Sequence, residues 1–253
     1  MRWCLFFMFL LTISQLQAQS QKDTVNSKRL FELHVYRDTL QDSNSSPKCC
    51  SKPENHWDGI QIGGVYFSNL PKAWDALELN WCKSIAFQYN FGGTNIFSSP
   101  NGHFFLFTGL GLEYQRLCFD QNSTSITKEN GELKLIDLYE YIENVGKIKR
   151  STLKNLYLTV PLIFETQKKE FFVMAGFVGG LRLHSKTKVI YKDEHSQKHK
   201  LKKKGNFDMS PVKLDVTARI GYKCFNIWGS YTLTDMFKSV AIHPVSLGIG
   251  YTF

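Results

Sequence analysis

Residues 244–253 read PVSLGIGYTF, and the alternation within them decides the fold. Val245, Leu247, Ile249, Tyr251 and Phe253 share one face of a strand, and Ser246, Gly248, Gly250 and Thr252 share the other, because successive strand side chains point to opposite sides. A soluble barrel turns its large apolar set inward and covers its outside with charge. Here the second face is uncharged and its residues are small. The stretch therefore fits an inverted arrangement, with bulky residues against acyl chains and small, weakly polar ones in a crowded interior.

The same pattern recurs upstream. LKNLYLTVPLIFE sets Leu156, Leu158, Val160, Leu162 and Phe164 against Tyr157, Thr159, Pro161, Ile163 and Glu165; KLDVTARIGY sets Leu214, Val216, Ala218, Ile220 and Tyr222 against Asp215, Thr217, Arg219 and Gly221. Segments 57–67, 77–91, 102–119, 151–167, 170–187, 207–223, 225–234 and 243–253 are expected to be strands. They predict an all-β fold, an eight-stranded antiparallel transmembrane β-barrel. With both ends of the barrel in the periplasm, the turns at 167–170 and 223–224 are short and periplasmic, while 120–150, 188–206 and 235–242 are longer outer loops. The moderate connection at 92–101 is the exception. Pro161 lacks a ladder N–H, so a bulge is expected there. ENGELKLIDLYEYIENVG fits either a short amphipathic helix or a continuation of the strands beyond the membrane.

The N-terminal stretch MRWCLFFMFLLTISQLQAQS has Arg2, an apolar run from Trp3 to Ile13 and a polar tail with Ala18 as the cleavage residue. A spanning helix needs about 20 apolar residues, and this shorter run suits a secretory signal. The expected organisation is a signal peptide at 1–18, a polar periplasmic segment at 19–56 and the barrel domain at 57–253. Export makes nucleic acid a poor partner despite the formal charge of +9. Much of that charge is local, in an outer-loop basic patch of Lys198, Lys200, Lys202, Lys203 and Lys204, which suits a solvated loop, anionic headgroups or polysaccharide. Cys49, Cys50, Cys82, Cys118 and Cys224 show no zinc spacing, and a bond from Cys49 or Cys50 to Cys224 is one pairing among several.

HWDGI, LELNWCKSIAFQYNF, LYLTVPLIFE, GGLRLHSKTK, GYKCFNIWGSYTLTDMF and PVSLGIGYTF, taken in order, resemble the recurring blocks of the PorT-like outer-membrane β-barrel proteins, over roughly Trp57 to Phe253. The resemblance implies a barrel in the cell outer membrane, with outer-membrane lipid, the barrel-insertion machinery and an envelope or secretion protein as partners. One branch of the family serves type IX protein secretion. The blocks are structural, and no catalytic residue carries over from them.

Barrels of this kind end on an aromatic, so Phe253 and Tyr251 are the candidate insertion signal. Trp57, Tyr66, Tyr222, Tyr231, Tyr251 and Phe253 are expected in the interfacial belts. Glu78, Glu113, Glu165, Arg182, Asp215 and Arg219 fall on the polar phase and are expected to form an interior charge network, with Arg182 and Asp215 on neighbouring strands. The sequence contains no G-x-S-x-G, no H-E-x-x-H and no phosphate-cradling glycine loop. No cofactor, metal or catalytic residue is expected. His195, His199, Asp193 and Glu194 can be drawn as a metal site but suit a solvated loop better. The expected function is structural or partner-binding. The alternatives are a rim-site lipid-modifying enzyme, tested first at His184 and Ser185, and a soluble lipocalin-like periplasmic carrier.

Overall fold

The computed structural model describes residues 56–100, 103–129, 132–142 and 145–253. The expected signal peptide, all of the 19–56 segment except His56, and Cys49 and Cys50 lie outside the described residues. Eight strands form a closed antiparallel barrel: β1 (Gly59–Ser68), β2 (Ile85–Ser98), β3 (Phe104–Cys118), β6 (Val145–Lys168), β7 (Phe171–Asp193), β9 (Val212–Tyr222), β10 (Phe225–Thr232) and β11 (His243–Thr252). The pairing of β1 with β11 and of β6 with β7 completes the circle. Outside the barrel wall lie the hairpin β4 (Thr124–Glu129) and β5 (Glu132–Asp137), the short helix α1 (Leu138–Tyr141) and β8 (Lys198–Lys204), which pairs with the upper part of β7.

Side-chain polarity is inverted relative to a soluble barrel. Ile249 is 65% exposed, Leu247 62%, Ile227 63% and Ile220 58%, while the charged residues Glu113, Glu165, Lys213, Asp215 and Arg219 are buried. On β9 the strict alternation KLDVTARIGY becomes a strict alternation of exposed apolar and buried polar residues. Eleven residues of a tilted strand rise about 25 Å, the height of an outer-membrane apolar band. At the end nearest the termini the band finishes in aromatics: Phe171 against Tyr222 (5.1 Å), Phe225 against Tyr251 (5.4 Å) and Tyr251 against Phe253 (6.1 Å).

Connections sort by length. The terminal end carries the turns at 99–103, 169–170 and 223–224, whereas every connection at the other end is longer. The moderate connection expected at 92–101 resolves into strand, since β2 runs on to Ser98. Lys169 and Lys223 take left-handed backbone (φ 58 and 54), which lets two-residue turns reverse the chain. The turns are also joined to each other, as Lys223 N–H donates to the Glu170 carbonyl at 2.8 Å.

Several expected boundaries are corrected. The 77–84 part of the second expected strand is outside the wall: Leu77 ends a 3-10 helix (Lys72–Leu77), Leu79 makes an isolated bridge to Phe119 and a turn follows, because Leu77 and Leu79 pack into the loop core. The 207–211 part of another is loop, with Phe207 and Asp208 at positive φ ahead of Pro211. The lysine-rich loop is partly strand, as β8. The ambiguous ENGELKLIDLYEYIENVG segment contains both elements, β5 and then α1. Pro161 produces no bulge. Its register against Val178 is regular, and on the other side the ladder to β3 skips the rungs between Thr108–Leu162 and Gly111–Thr159 without slipping. Thr108 Oγ1 donates to the Pro161 carbonyl (2.8 Å) and Trp57 Nε1 to the Leu110 carbonyl (3.0 Å) within that gap.

Candidate functional site

The lumen is filled by two polar clusters. In the first, Lys213 Nζ of β9 lies 2.7 Å from Glu113 Oε2 of β3 and 2.6 Å from Asp215 Oδ2, and sits over the Tyr157 ring at 4.8 Å. Gln115 Nε2 donates to the other Glu113 oxygen at 2.6 Å. One ammonium thus answers two carboxylates, a contact made across the lumen between strands that are not neighbours in the wall. In the second cluster, His56 donates its backbone N–H to Glu165 Oε2 (3.0 Å), brings ring Nδ1 to 2.5 Å from Oε1 and stacks on Phe172. The Arg219 guanidinium stacks on Trp57 at 4.3 Å. With its amide oriented to suit both neighbours, Gln61 accepts from Arg219 (2.6 Å) and donates to Gln88 (2.9 Å). Gly221 is needed opposite Phe172, whose ring occupies the place a side chain there would take.

Between the clusters remains a space of about 10 Å³ bordered by Trp57, Asn90, Glu113, Asp215 and Arg219. It is room for about one water, and Asp215 Oδ1 and Asn90 Nδ2, which lack a protein partner, lie beside it. Toward the long loops the interior turns apolar. Leu77, Phe119, Ile126, Phe237, Val240 and Ile242 come down from the connections onto the inward-facing strand residues Val65, Ala86, Leu117, Leu153 and Trp228. The described residues therefore close the barrel at mid-height and at its outer mouth. A lipocalin-like carrier needs an apolar ligand cavity within and a polar exterior, and this barrel has the reverse of both.

The structure redistributes the expected charge network. Glu113, Asp215, Glu165 and Arg219 are in the lumen, the first two with Lys213 and the last two beside His56 and Trp57. Glu78 is not: it is the exposed C-cap of the 3-10 helix, outside any strand, so alternation does not govern its direction. Arg182 does not meet Asp215. Asp215 is level with Val178, and four residues along a strand is roughly 13 Å. Arg182 instead bonds the Asn206 carbonyl (3.0 Å) and side chain at the outer rim. Lys213, at the centre of the first cluster, was legible as the residue two before Asp215 on the same strand phase. Trp57 is 1% exposed inside the lumen rather than in an interfacial belt, because the chain turns inward before β1. Tyr66, Tyr222, Tyr251 and Phe253 are exposed, and Tyr231 stacks on His243.

Phe253 donates its N–H to the Asp58 carbonyl at 3.0 Å, which fixes the C-terminus beside the start of β1. Nearby, Cys224 is disulfide-bonded, while Cys82 and Cys118 are free thiols. At the outer end His184 is exposed and Ser185 is buried with its hydroxyl on Met209 Sδ (3.5 Å), so the two point to opposite sides of β7. His199 Nε2 lies 3.0 Å from Asp193 Oδ2, and that hydrogen bond holds the Asp193 carboxyl below the usual carboxylate range. No group of three metal-ligating side chains occurs among the described residues.

The basic patch divides by strand phase. Lys198, Lys200, Lys202 and Lys204 share the face of β8 that carries Lys186, Lys188 and Lys192 of β7, whereas Lys203 lies on the other face and bonds Thr127 Oγ1 at 3.0 Å. Partial burial, with Lys154, Lys200, Arg150 and Lys202 around it, pushes the Lys188 ammonium below the usual lysine range.

No family model and no curated protein matches the sequence. Among solved structures, the chain is similar to the attachment invasion locus protein Ail of Yersinia pestis, at 15% identity over 77% of this chain and 97% of that one, with a TM-score of 0.33. It is also similar to the outer membrane phospholipase of Salmonella typhi (8% identity, 77% and 91%, TM-score 0.23) and to outer membrane phospholipase A of Escherichia coli (6% identity, 84% and 95%, TM-score 0.24). Likeness at this level carries no assignment of activity.

Proposed function

We propose that the chain is an outer-membrane protein of the PorT-like kind. It acts as a rigid, non-conducting and non-catalytic scaffold that offers its long-loop face to an envelope or secretion protein. The observation that carries this reading is the inverted polarity around a filled centre, with an apolar band outside and the Glu113–Lys213–Asp215 contact within. Eight strands leave an interior wide enough only for side chains, which supports a role played by surfaces rather than by passage. The aromatic end at Tyr251 and Phe253 serves as the signal read by the insertion machinery. A rim enzyme is disfavoured because His184 and Ser185 diverge.

Cell fractionation combined with gel mobility tests the reading. The protein is expected to sediment with the outer membrane and to migrate faster unheated than heated. Recovery in the soluble periplasmic fraction, with a single mobility, would refute it.

A further inference from the structure

Beyond the barrel wall, β6 and β7 continue upward and β8 adds a third strand, and this sheet carries an arrangement that folding alone disfavours. One rung runs laterally across four strands: Arg116 of β3 is opposite Lys154 of β6, Lys154 opposite Lys186 of β7, and Lys186 opposite Lys204 of β8. The next rung up repeats the charge, with Lys188 opposite Lys202. Like charges directly opposite each other destabilise a sheet. Lysines on β8 alone would be explained as guards of a free edge, since no described strand pairs with its far side. That explanation fails for Arg116, Lys154 and Lys186, which belong to strands paired on both sides.

Position identifies what compensates them. The rung lies on the outward face, one strand repeat above Tyr114 and Leu156, the upper end of the apolar band. Lys154 Nζ stands over the Tyr114 ring at 5.8 Å, with its stem along the band and its charge at the edge. Among the described residues no ion pair involves any of the four, and Asp120 accepts from Asn80. Arg116 donates from Nε and Nη2 to the Lys83 carbonyl (3.3 and 3.1 Å), which holds its guanidinium at the surface. Such a row of cations at the hydrocarbon boundary meets lipid phosphate before any soluble partner.

We propose that Arg116, Lys154, Lys186 and Lys204 form a ladder that binds the anionic phosphates of lipid headgroups in the leaflet on the long-loop side. This rests on the membrane reading above. The test uses the mature chain in phosphatidylcholine nanodiscs, with spin-labelled phosphatidylglycerol or spin-labelled phosphatidylcholine as probe. The native chain, and a control with Lys72, Lys147, Lys149 and Lys238 each changed to Gln, are expected to immobilise phosphatidylglycerol about fivefold more strongly than phosphatidylcholine. Arg116→Gln, Lys154→Gln, Lys186→Gln and Lys204→Gln combined should bring that ratio near one. A ratio unchanged by the combined substitution overturns the ladder. So does ladder-dependent binding of dextran sulfate or polyglutamate without any lipid preference, which would indicate a soluble anionic partner. Insertion is checked separately by unheated gel mobility: an inserted chain without lipid preference refutes the ladder alone, and a native chain that fails to insert refutes the membrane reading with it.

Discussion

Replacing Lys213 by Met tests the lumen most sharply. The methionine keeps most of the stem that packs beside Gly180 and Tyr157, so the change removes charge with little change in volume. It leaves Glu113 and Asp215, 3% exposed each, facing the vacated position with no cation between them. Removing one partner of a buried ion pair costs about 3–5 kcal/mol, which is about two to nearly four orders of magnitude in the folding equilibrium. Glu113→Gln should cost far less, under about 1 kcal/mol, because it removes the excess carboxylate and preserves a one-to-one pair with Asp215. Neutralising all three as Lys213→Met, Glu113→Gln and Asp215→Asn should recover most of the loss. The assay is urea unfolding in phospholipid vesicles, followed by tryptophan fluorescence and by the unheated gel form. A loss below about 1 kcal/mol for Lys213→Met would refute the reasoning, since it would mean that water reaches the triad and screens it.

Three further outcomes follow from the same geometry. Gly221→Val should push against the Phe172 ring and lower stability by about 1–3 kcal/mol, read in the same unfolding assay. Trp57→Ala should cost about 3–5 kcal/mol, because the indole is buried against Phe107 and Arg219 and its N–H fills the gap beside Pro161. The Asp193 carboxyl, depressed below its ordinary value of 3.8, stabilises the β7–β8 reversal above that value and loses its effect as pH falls through the lower folded value. The protection of the Gln197 amide, whose N–H donates to Asp193, measured as its exchange rate relative to an unstructured peptide at the same pH, should therefore hold at neutral pH and fall only below about pH 4.

How much of this was readable in advance follows from the range of each interaction. Alternation is local, so the outward-facing apolar rows at Leu158, Val216 and Ile249 and the number of barrel strands could be read directly from the chain. Glu113 and Lys213 meet across the lumen, a hundred residues apart and on strands that do not pair, and no local pattern reports that distance. Glu78 misled because LELNW alternates like a strand, while Leu77 ends a 3-10 helix and Leu77 and Leu79 pack into the loop core, which leaves Glu78 as an exposed cap. Trp57 misled because the belt rule holds for residues within strands, and the chain before β1 points into the lumen. The cationic row was visible only as lysine-rich sequence, since its lateral order depends on register, and register shifts within the β6–β7 pairing set which side chains face outward.

Contact between the apolar rows and acyl chains can be read by depth-dependent quenching. Single cysteines at Leu158, Val216 and Ile249, each carrying an environment-sensitive fluorophore, are compared with labels at Thr159, Thr217 and Gly250 in vesicles containing brominated lipid. Quenching is expected to be strong at the first three positions and weak at the other three. Quenching confined to Thr159, Thr217 and Gly250, or absent at all six in a folded protein, would contradict it.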